Sequence, residues 1–301
     1  MLKTVSLFLA LLTGLVASVS AGTVKMVGID GYHNTANPPH YAWSETDLGG
    51  YSQFAGILLT LGADTVTLTT PFDSSTLSPL SVLVIVNPGT KNLIGAAEIN
   101  AVDKWVQQGG KLMCFANNKG NVEFVHYDSL MARFGITFND TTQTGGSNFG
   151  PVPQNEVFSN CTTFYIVDMC NLTVAAPAKS IFTFQGSVLM ATALKGNGAV
   201  FATGDPWVYN EHIAAQDNIK GITQVMNWLL GNATPVLRSM AGAQREAQKR
   251  LQNGYRMVLP NGRLVSGAVS LPGSSFAPKA HGVVFIEGTS GGGQEHVPLR
   301  P

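Results

Sequence analysis

The sequence predicts a doubly wound, mostly parallel α/β sheet followed by a small irregular C-terminal appendage. Three observations carry this expectation. Short β-branched runs alternate with amphipathic stretches from Val24 to Leu230. The run Val82-Leu83-Val84-Ile85-Val86 is apolar without a break, as a parallel strand covered on both faces requires. Polar clusters come directly after several strands, on what would be one rim of the sheet.

Taken in order, Val24 to Asp30 reads as the first strand and ends in an acid. The loop Gly31 to Gly50 holds Tyr32, His33, Asn34, Tyr41, Trp43, Glu45 and Asp47. It is long for a connection that usually takes about 2–6 residues, and such loops often carry function. Tyr51 to Leu61 places Phe54, Ile57, Leu58 and Leu61 on one helical face that stops at Gly62. Thr65 to Thr69 is a strand, Pro71 to Pro79 a loop, and the central apolar strand terminates in Asn87-Pro88-Gly89. Ala96 to Gln108 is a helix with Ile99, Val102 and Val106 inward, halted by Gly109-Gly110. Lys111 to Ala116 is a strand that delivers the polar cluster Asn117 to Glu123, and Tyr127 to Phe134 is helical.

Gly135 to Thr163 is turn-rich and reads as an excursion. Phe164 to Val167, Ile181 to Phe184 and Val188 to Ala191 are short, antiparallel strands. Ala199 to Thr203 is the last buried strand, and Gly204-Asp205-Pro206-Trp207-Val208-Tyr209-Asn210-Glu211-His212 lies just past its end. Ile219 to Leu230 closes the domain with Ile222, Val225, Met226 and Leu229 on one side. The division is thus a leader over residues 1–21, an α/β domain over 22–232, and an appendage over 233–301. The appendage holds a charged helical patch at Ala241 to Gln252 and a hairpin candidate about Asn261-Gly262, then a Gly-, Pro- and Ser-rich, partly disordered end.

Lys3, the apolar run Val5 to Val16 and the small residues of Val19-Ser20-Ala21 form a secretory signal peptide, so an extracellular protein is expected. No later run reaches about 18 apolar residues, so no membrane span is expected. Three sequons agree with secretion, at Asn139, Asn160 and Asn171. Cys161 and Cys170 flank one short segment and are expected to form a disulfide, leaving Cys114 buried and inert. The 301 residues carry zero net charge and 12% charged residues with no basic block, which excludes a nucleic-acid partner. The six histidines are scattered and no Cys-x-x-Cys, phosphate loop or dinucleotide fingerprint occurs, so neither metal nor cofactor is expected.

The rim therefore offers His, Tyr, Asn and acidic side chains with aromatic rings between them, a set suited to sugars: rings cover apolar sugar faces while amides and acids take hydroxyls. The same set can remove the proton α to the carboxylate of a uronic acid, with amides or a protonated acid stabilising the enolate and Tyr or His moving the proton. A glycosidase would need two carboxylates across one bond, and Asp30, Glu123, Asp205 and Glu211 could supply them.

Several separated motifs add a resemblance. Asp30 to Asn34, Tyr41-Ala42-Trp43, Gly49-Gly50-Tyr51-Ser52, Leu61-Gly62-Ala63, Val84 to Pro88, Trp105 to Gly110, Asn117 to Glu123 and Gly204 to Glu211 occur in order. Over roughly Val24 to Leu230 the chain resembles the C-terminal module attached to some bacterial unsaturated rhamnogalacturonyl and glucuronyl hydrolases. The resemblance implies a flavodoxin-like fold of the class I glutamine amidotransferase kind. The amidotransferase nucleophile is absent, because the corresponding strand end reads Ala116-Asn117-Asn118. It further implies a dehydratase acting on uronate-terminated oligosaccharides and leaving a 4,5-unsaturated ring.

On that reading His33 or Tyr41 moves protons, and Asn34, Asn117 and Asn121 hold the carboxylate. Trp43 and Trp207 form sugar platforms, Glu123, Asp205 and Glu211 bind hydroxyls or act as the acid, and Asp30, Tyr209 and Asn210 complete the binding surface. The alternatives are a carbohydrate-binding module without turnover and a glycoside hydrolase using an acid pair.

Overall fold

The computed structural model describes residues 24–34, 41–142 and 149–232, together with three strands further along the chain. The first unit contains the parallel strands β1 (Lys25–Asp30), β2 (Ala63–Leu68), β3 (Val82–Val86), β4 (Lys111–Phe115) and β9 (Gly198–Thr203). They lie in the order β2-β1-β3-β4-β9, all parallel. This is the order of a flavodoxin-like sheet, with its topological switch between β1 and β3. The register pairs Val86 with Phe115 and Phe115 with Thr203, so the carboxyl ends of these strands finish level. The protein is thus a doubly wound α/β fold, and the rim expected from the sequence is real.

Beyond β9 the sheet continues antiparallel through β8 (Ser187–Lys195), β6 (Leu172–Val174) and β5 (Ile136–Phe138), with β7 (Lys179–Phe184) paired to β8. Helices α1 (Ser52–Thr60) and α5 (Asn218–Leu229) cover one face. Helices α2 (Ser74–Leu77), α3 (Ala96–Gln107) and α4 (Phe124–Met131) cover the other. Alternation along β3 explains both cores: Val82, Val84 and Val86 join the first, while Leu83 and Ile85 join the second. On α5, the buried Ile222, Val225, Met226 and Leu229 recur at helical spacing, each contributing roughly 1.5–3 kcal/mol by burial.

Local chemistry explains where the elements depart from expectation. The segment read as a loop at Pro71 to Pro79 contains α2, because the Asp73 carboxyl accepts hydrogen bonds from the backbone of Ser75 and Thr76 and Thr76 closes a capping box. Helix α4 starts at Phe124, earlier than expected, capped by Glu123, which accepts from the backbone of His126 at 3.0 Å. Phe164 to Val167 is not a strand, and Phe164 forms only an isolated bridge with Phe149. Its donors go to side chains instead: Tyr165 N–H to Asn218 Oδ1 at 3.0 Å and Val167 N–H to Asp205 Oδ2 at 3.1 Å. Strand β5 begins the stretch read as a turn-rich excursion, where Ile136 and Phe138 are buried and the strand pairs with β6, which falls in a stretch the sequence left unassigned.

The expected Cys161–Cys170 bridge is not formed, and all three cysteines are buried free thiols. Cys161 belongs to the core on one face of the sheet and Cys170 to the core on the other, so proximity in sequence does not bring the sulfurs together. The Cys161 thiol instead donates to Gln224 Oε1 at 3.3 Å. Among the sequons, the Asn139 amide donates to Asn171 Oδ1 at 2.6 Å across β5 and β6, while Asn160 is exposed.

The second unit runs from Thr234 to Pro301. Its strands β10 (Tyr255–Val258), β11 (Leu264–Val265) and β12 (Phe285–Gly288) pair antiparallel in the order β11-β10-β12. The β10–β11 pairing agrees with the hairpin candidate at Val258 to Val265, whose turn residues lie outside the described residues. The expected signal peptide, the helical patch at 241–252 and the C-terminal end lie outside the described residues. Among the described residues no helix is long and apolar enough to cross a membrane.

Candidate functional site

Four parallel strands deliver polar side chains to the rim: Asp30 at the end of β1, Asn87 after β3, Asn117 after β4 and Asp205 after β9. The loops joining them are fastened to one another. Gly89 N–H donates to His33 O at 2.9 Å, Glu123 N–H to Pro88 O at 2.8 Å, and Asn34 pairs with Pro88 as a bridge. The loop carrying Tyr41 is tied from across the site by Asn210. Its amide donates to Glu45 O at 3.0 Å and Asp47 O at 2.8 Å, and its Oδ1 accepts from Gln53 N at 3.0 Å.

At the centre, Asn87 Nδ2 donates to the Tyr41 hydroxyl at 3.0 Å. Both residues sit in the left-handed region, with φ of 64° at Tyr41 and 45° at Asn87. Non-glycine residues adopt this conformation at a cost and concentrate at functional sites when they do. The Tyr41 ring packs edge-on against Tyr51 at 5.4 Å and against Tyr209 at 6.5 Å. Burial raises the Tyr41 hydroxyl above the usual tyrosine value and Asp205 pushes the same way, against hydrogen bonds from Asn87 and Asn117. Tyr209 is raised further, by burial and then by Asp205.

Asp205 is 1% exposed. Its Oδ2 accepts from Val167 N–H, while Oδ1 has no partner among the described residues. Burial, with Asp168 adding like charge, raises its carboxyl well above the usual range and favours the proton-bearing form, which can donate. Asn87 Oδ1 is also buried without a partner among the described residues. His212 packs at a tilt against Tyr209 at 4.5 Å, its Nδ1 is buried and unpartnered among the described residues, and burial lowers its pKa, which favours the neutral imidazole.

The other expected residues are placed differently. His33 is fully enclosed, with Nδ1 3.0 Å from Asp30 Oδ2 and Nε2 3.0 Å from Glu98 Oε1, the latter off the line of a hydrogen bond. Burial disfavours its charge, but the Asp30 hydrogen bond and the two carboxyls outweigh burial and raise the pKa. Its ring is locked between β1 and the start of α3, where the two carboxyls favour the protonated form, out of reach of a substrate, and Asp30 is committed to it.

Trp43 and Trp207 are not platforms. Trp43 is 8% exposed with Nε1–H donating to Val66 O at 3.1 Å, and Trp207 is fully buried against Phe164. Their rings supply the apolar mass that anchors the loops. Asn210 is likewise consumed as a tie. Glu123 caps α4 and pairs with His126 at 3.1 Å, Asn121 is exposed and donates to Asn118, and Glu211 is half exposed beside His212. The structure thus brings together Tyr41, Asn117, Asp205 and Tyr209, and adds Asn87, Tyr51 and His212. Asn87 has a signal in the sequence, since it directly follows the strongest strand, as Asp205 nearly does after β9. Among the described residues no cluster of three or more His, Cys, Asp or Glu could hold a metal ion.

No curated protein matches this chain. Among solved structures, the chain is similar to the mmIFT52 N-terminal domain, with 16% identity, 68% of this chain and 97% of that chain covered, and a TM-score of 0.55. It is also similar to the cytoplasmic protein STM1381 from Salmonella typhimurium LT2, at 11% identity, 68% and 99% coverage and a TM-score of 0.53. A protein described as ThuA-like from Bacteroides uniformis ATCC 8492 matches at 13% identity over 68% and 91% of the two chains, with a TM-score of 0.46. A family model described as a domain of unknown function, DUF4350, matches residues 44–226. That span covers more than half of the sequence and nearly every element of the α/β unit, and the chain therefore belongs to the DUF4350 family.

Proposed function

We propose that the rim binds the terminal uronic acid of an oligosaccharide and eliminates water across C4 and C5, making the protein an extracellular carbon-oxygen lyase. The observation that carries this reading is Asp205, a neutral buried acid with an unpartnered oxygen beside Tyr41. Its proton, with amide donors from Asn87 and Asn117, offsets the negative charge of the substrate carboxylate and makes the C5 hydrogen acidic. The C5–H electron pair becomes the C4=C5 double bond as the C4 hydroxyl leaves with a proton as water. His212, kept neutral by burial, takes the role first expected of His33 and accepts the C5 proton; Tyr41 protonates the leaving hydroxyl. The resemblance to the hydrolase-attached module supports the same reading, because an unsaturated end is what such a hydrolase consumes.

One observation favours a module that binds without turnover: burial raises both Tyr41 and Tyr209, so neither phenol is set up as a base. Incubation with saturated galacturonate- or glucuronate-terminated oligosaccharides separates the two. The lyase produces the ultraviolet absorbance of a conjugated uronide with loss of one water by mass. In Tyr41→Phe that rate should fall about 10²–10⁴-fold, the range of a lost proton transfer, and in Asp205→Asn about 10²–10³-fold, the range of a lost electrostatic donor. Saturable binding with no mass change over a broad panel would assign the binding module instead. Reducing ends without unsaturation would assign a hydrolase.

A further inference from the structure

A second opening lies at the other end of the sheet, where the parallel strands begin. It is a cleft of about 590 Å³ between the starts of β1, β3 and β4 and helices α2 and α3, lined by Lys25, Ser81, Lys104, Trp105, Gln108 and Lys111 among others. That volume falls within the roughly 300–1,000 Å³ of small-molecule sites. None of its lining residues is acidic.

Three lysines line this one cleft in a chain with only 12% charged residues and no net charge. Among the described residues none of them pairs with an acid. Lys25 Nζ donates to Leu230 O and, at 2.6 Å, to Asn232 Oδ1, and Lys111 Nζ donates to Asn197 O at 2.8 Å, all neutral acceptors. Among the described residues the lysine ion pairs are those of Lys119, Lys179 and Lys195, none of which lines this cleft. The nearest acid on α3, Asp103, is held by Lys195 at 2.5 Å.

The cleft also has an aromatic wall. Trp105 lies so closely against the backbone of Gly110 that a Cβ there would overlap the indole. Gly110 therefore seats the ring, which stays half-buried with part of its surface at the cleft. An indole surface, the Ser81 hydroxyl, the Gln108 amide and three ammoniums without a counter-charge together match a saccharide that carries carboxylates. A bare anion would leave the indole unused, and a neutral sugar would leave the charges unused.

We propose that this cleft is a second glycan site, which takes a uronate-bearing saccharide through Lys25, Lys104 and Lys111 with a sugar ring against Trp105. It stands at the opposite end of the sheet from Asp205 and works independently of the rim.

The test is titration of the full chain with trigalacturonate, read at the backbone amide resonances of Gly109, Gly110 and Lys111. Saturable shifts there are expected, unchanged in Asp205→Asn. The Lys104 side chain is exposed and its ammonium forms no ion pair among the described residues. Lys104→Gln should therefore weaken binding about two- to fivefold, the reach of one partly exposed ionic contact. Adding Lys111→Gln should bring the loss to about tenfold or more. The proposal is overturned by any of three results: no shifts at these amides, equal shifts from the carboxyl-reduced neutral trimer, or the same shifts from inorganic phosphate at the same concentration, which would make it a simple anion site. Because the readout is local to the cleft, an inactive or empty rim leaves this test intact.

Discussion

Replacing His33 with Gln tests whether this residue is a structural cation, as its surroundings require, and not the proton carrier the sequence suggested. In the native protein the ring is enclosed between Asp30, 1% exposed, and Glu98. Glu98 keeps two other donors without it, Phe72 N–H at 2.8 Å and Gly95 N–H at 2.9 Å. Among the described residues Asp30 retains the backbone N–H groups of residues 32 and 33, both on Oδ1 at 3.1 Å, so the cost falls on a buried carboxyl left without its counter-charge. Breaking a buried pair in this way costs about 3–5 kcal/mol. For a unit of this size that corresponds to a fall in Tm of about 6–20 °C. The pH dependence has a definite sign. The folded pKa of His33 is raised, so its contribution is complete below the unfolded value of about 6.5 and is lost as pH rises through the folded value. Thermal unfolding followed by circular dichroism should therefore show a gap between wild type and His33→Gln that is widest in mild acid and narrows on the alkaline side. A variant within about 1 kcal/mol of wild type, with a gap independent of pH, would refute the argument.

Asp205→Asn should raise Tm at neutral pH while lowering turnover: a buried acid with a raised pKa contributes stability below its unfolded value, about 3.9, that fades as pH rises toward the folded value. A variant less stable than wild type at neutral pH would show that Asp205 is held charged by something else. Thiol labelling separates the observed cysteines from the expected bridge: the native protein should resist alkylation, since burial lifts Cys161 to about 11 and Cys114 to about 12 and raises Cys170 further. In denaturant without reductant all three should label, whereas a native disulfide would leave only one. Gly204→Ala should cost more than about 4 kcal/mol or prevent folding, because its Cβ would overlap Cys170 O in the hydrogen-bonded contact that seats Asp205; near-wild-type stability by chemical denaturation would contradict that packing.

The sequence by itself determines the alternation of strand and helix and the side of the sheet where chemistry collects. Both come from local pattern: the unbroken apolar run at Val82 to Val86 can only be buried on both faces, and the residues just past a parallel strand emerge on the carboxyl rim. The hairpin of the second unit was legible for the same reason, through Asn261-Gly262. The tertiary structure decides which polar or aromatic residues on that rim are spent on holding it together. Trp43 and Trp207 read as exposed platforms until Val66 and Phe164 claim them, and Asn210 reads as a ligand until its amide is seen on the backbone of Glu45 and Asp47, more than 160 residues away. His33 becomes a locked cation only because Glu98, a capping residue on a distant helix, closes on its far side. Cys161 and Cys170, close in sequence, end on opposite faces of the sheet. Each of these outcomes depends on a partner far along the chain, and burial and charge state are set by that partner, which no local pattern encodes.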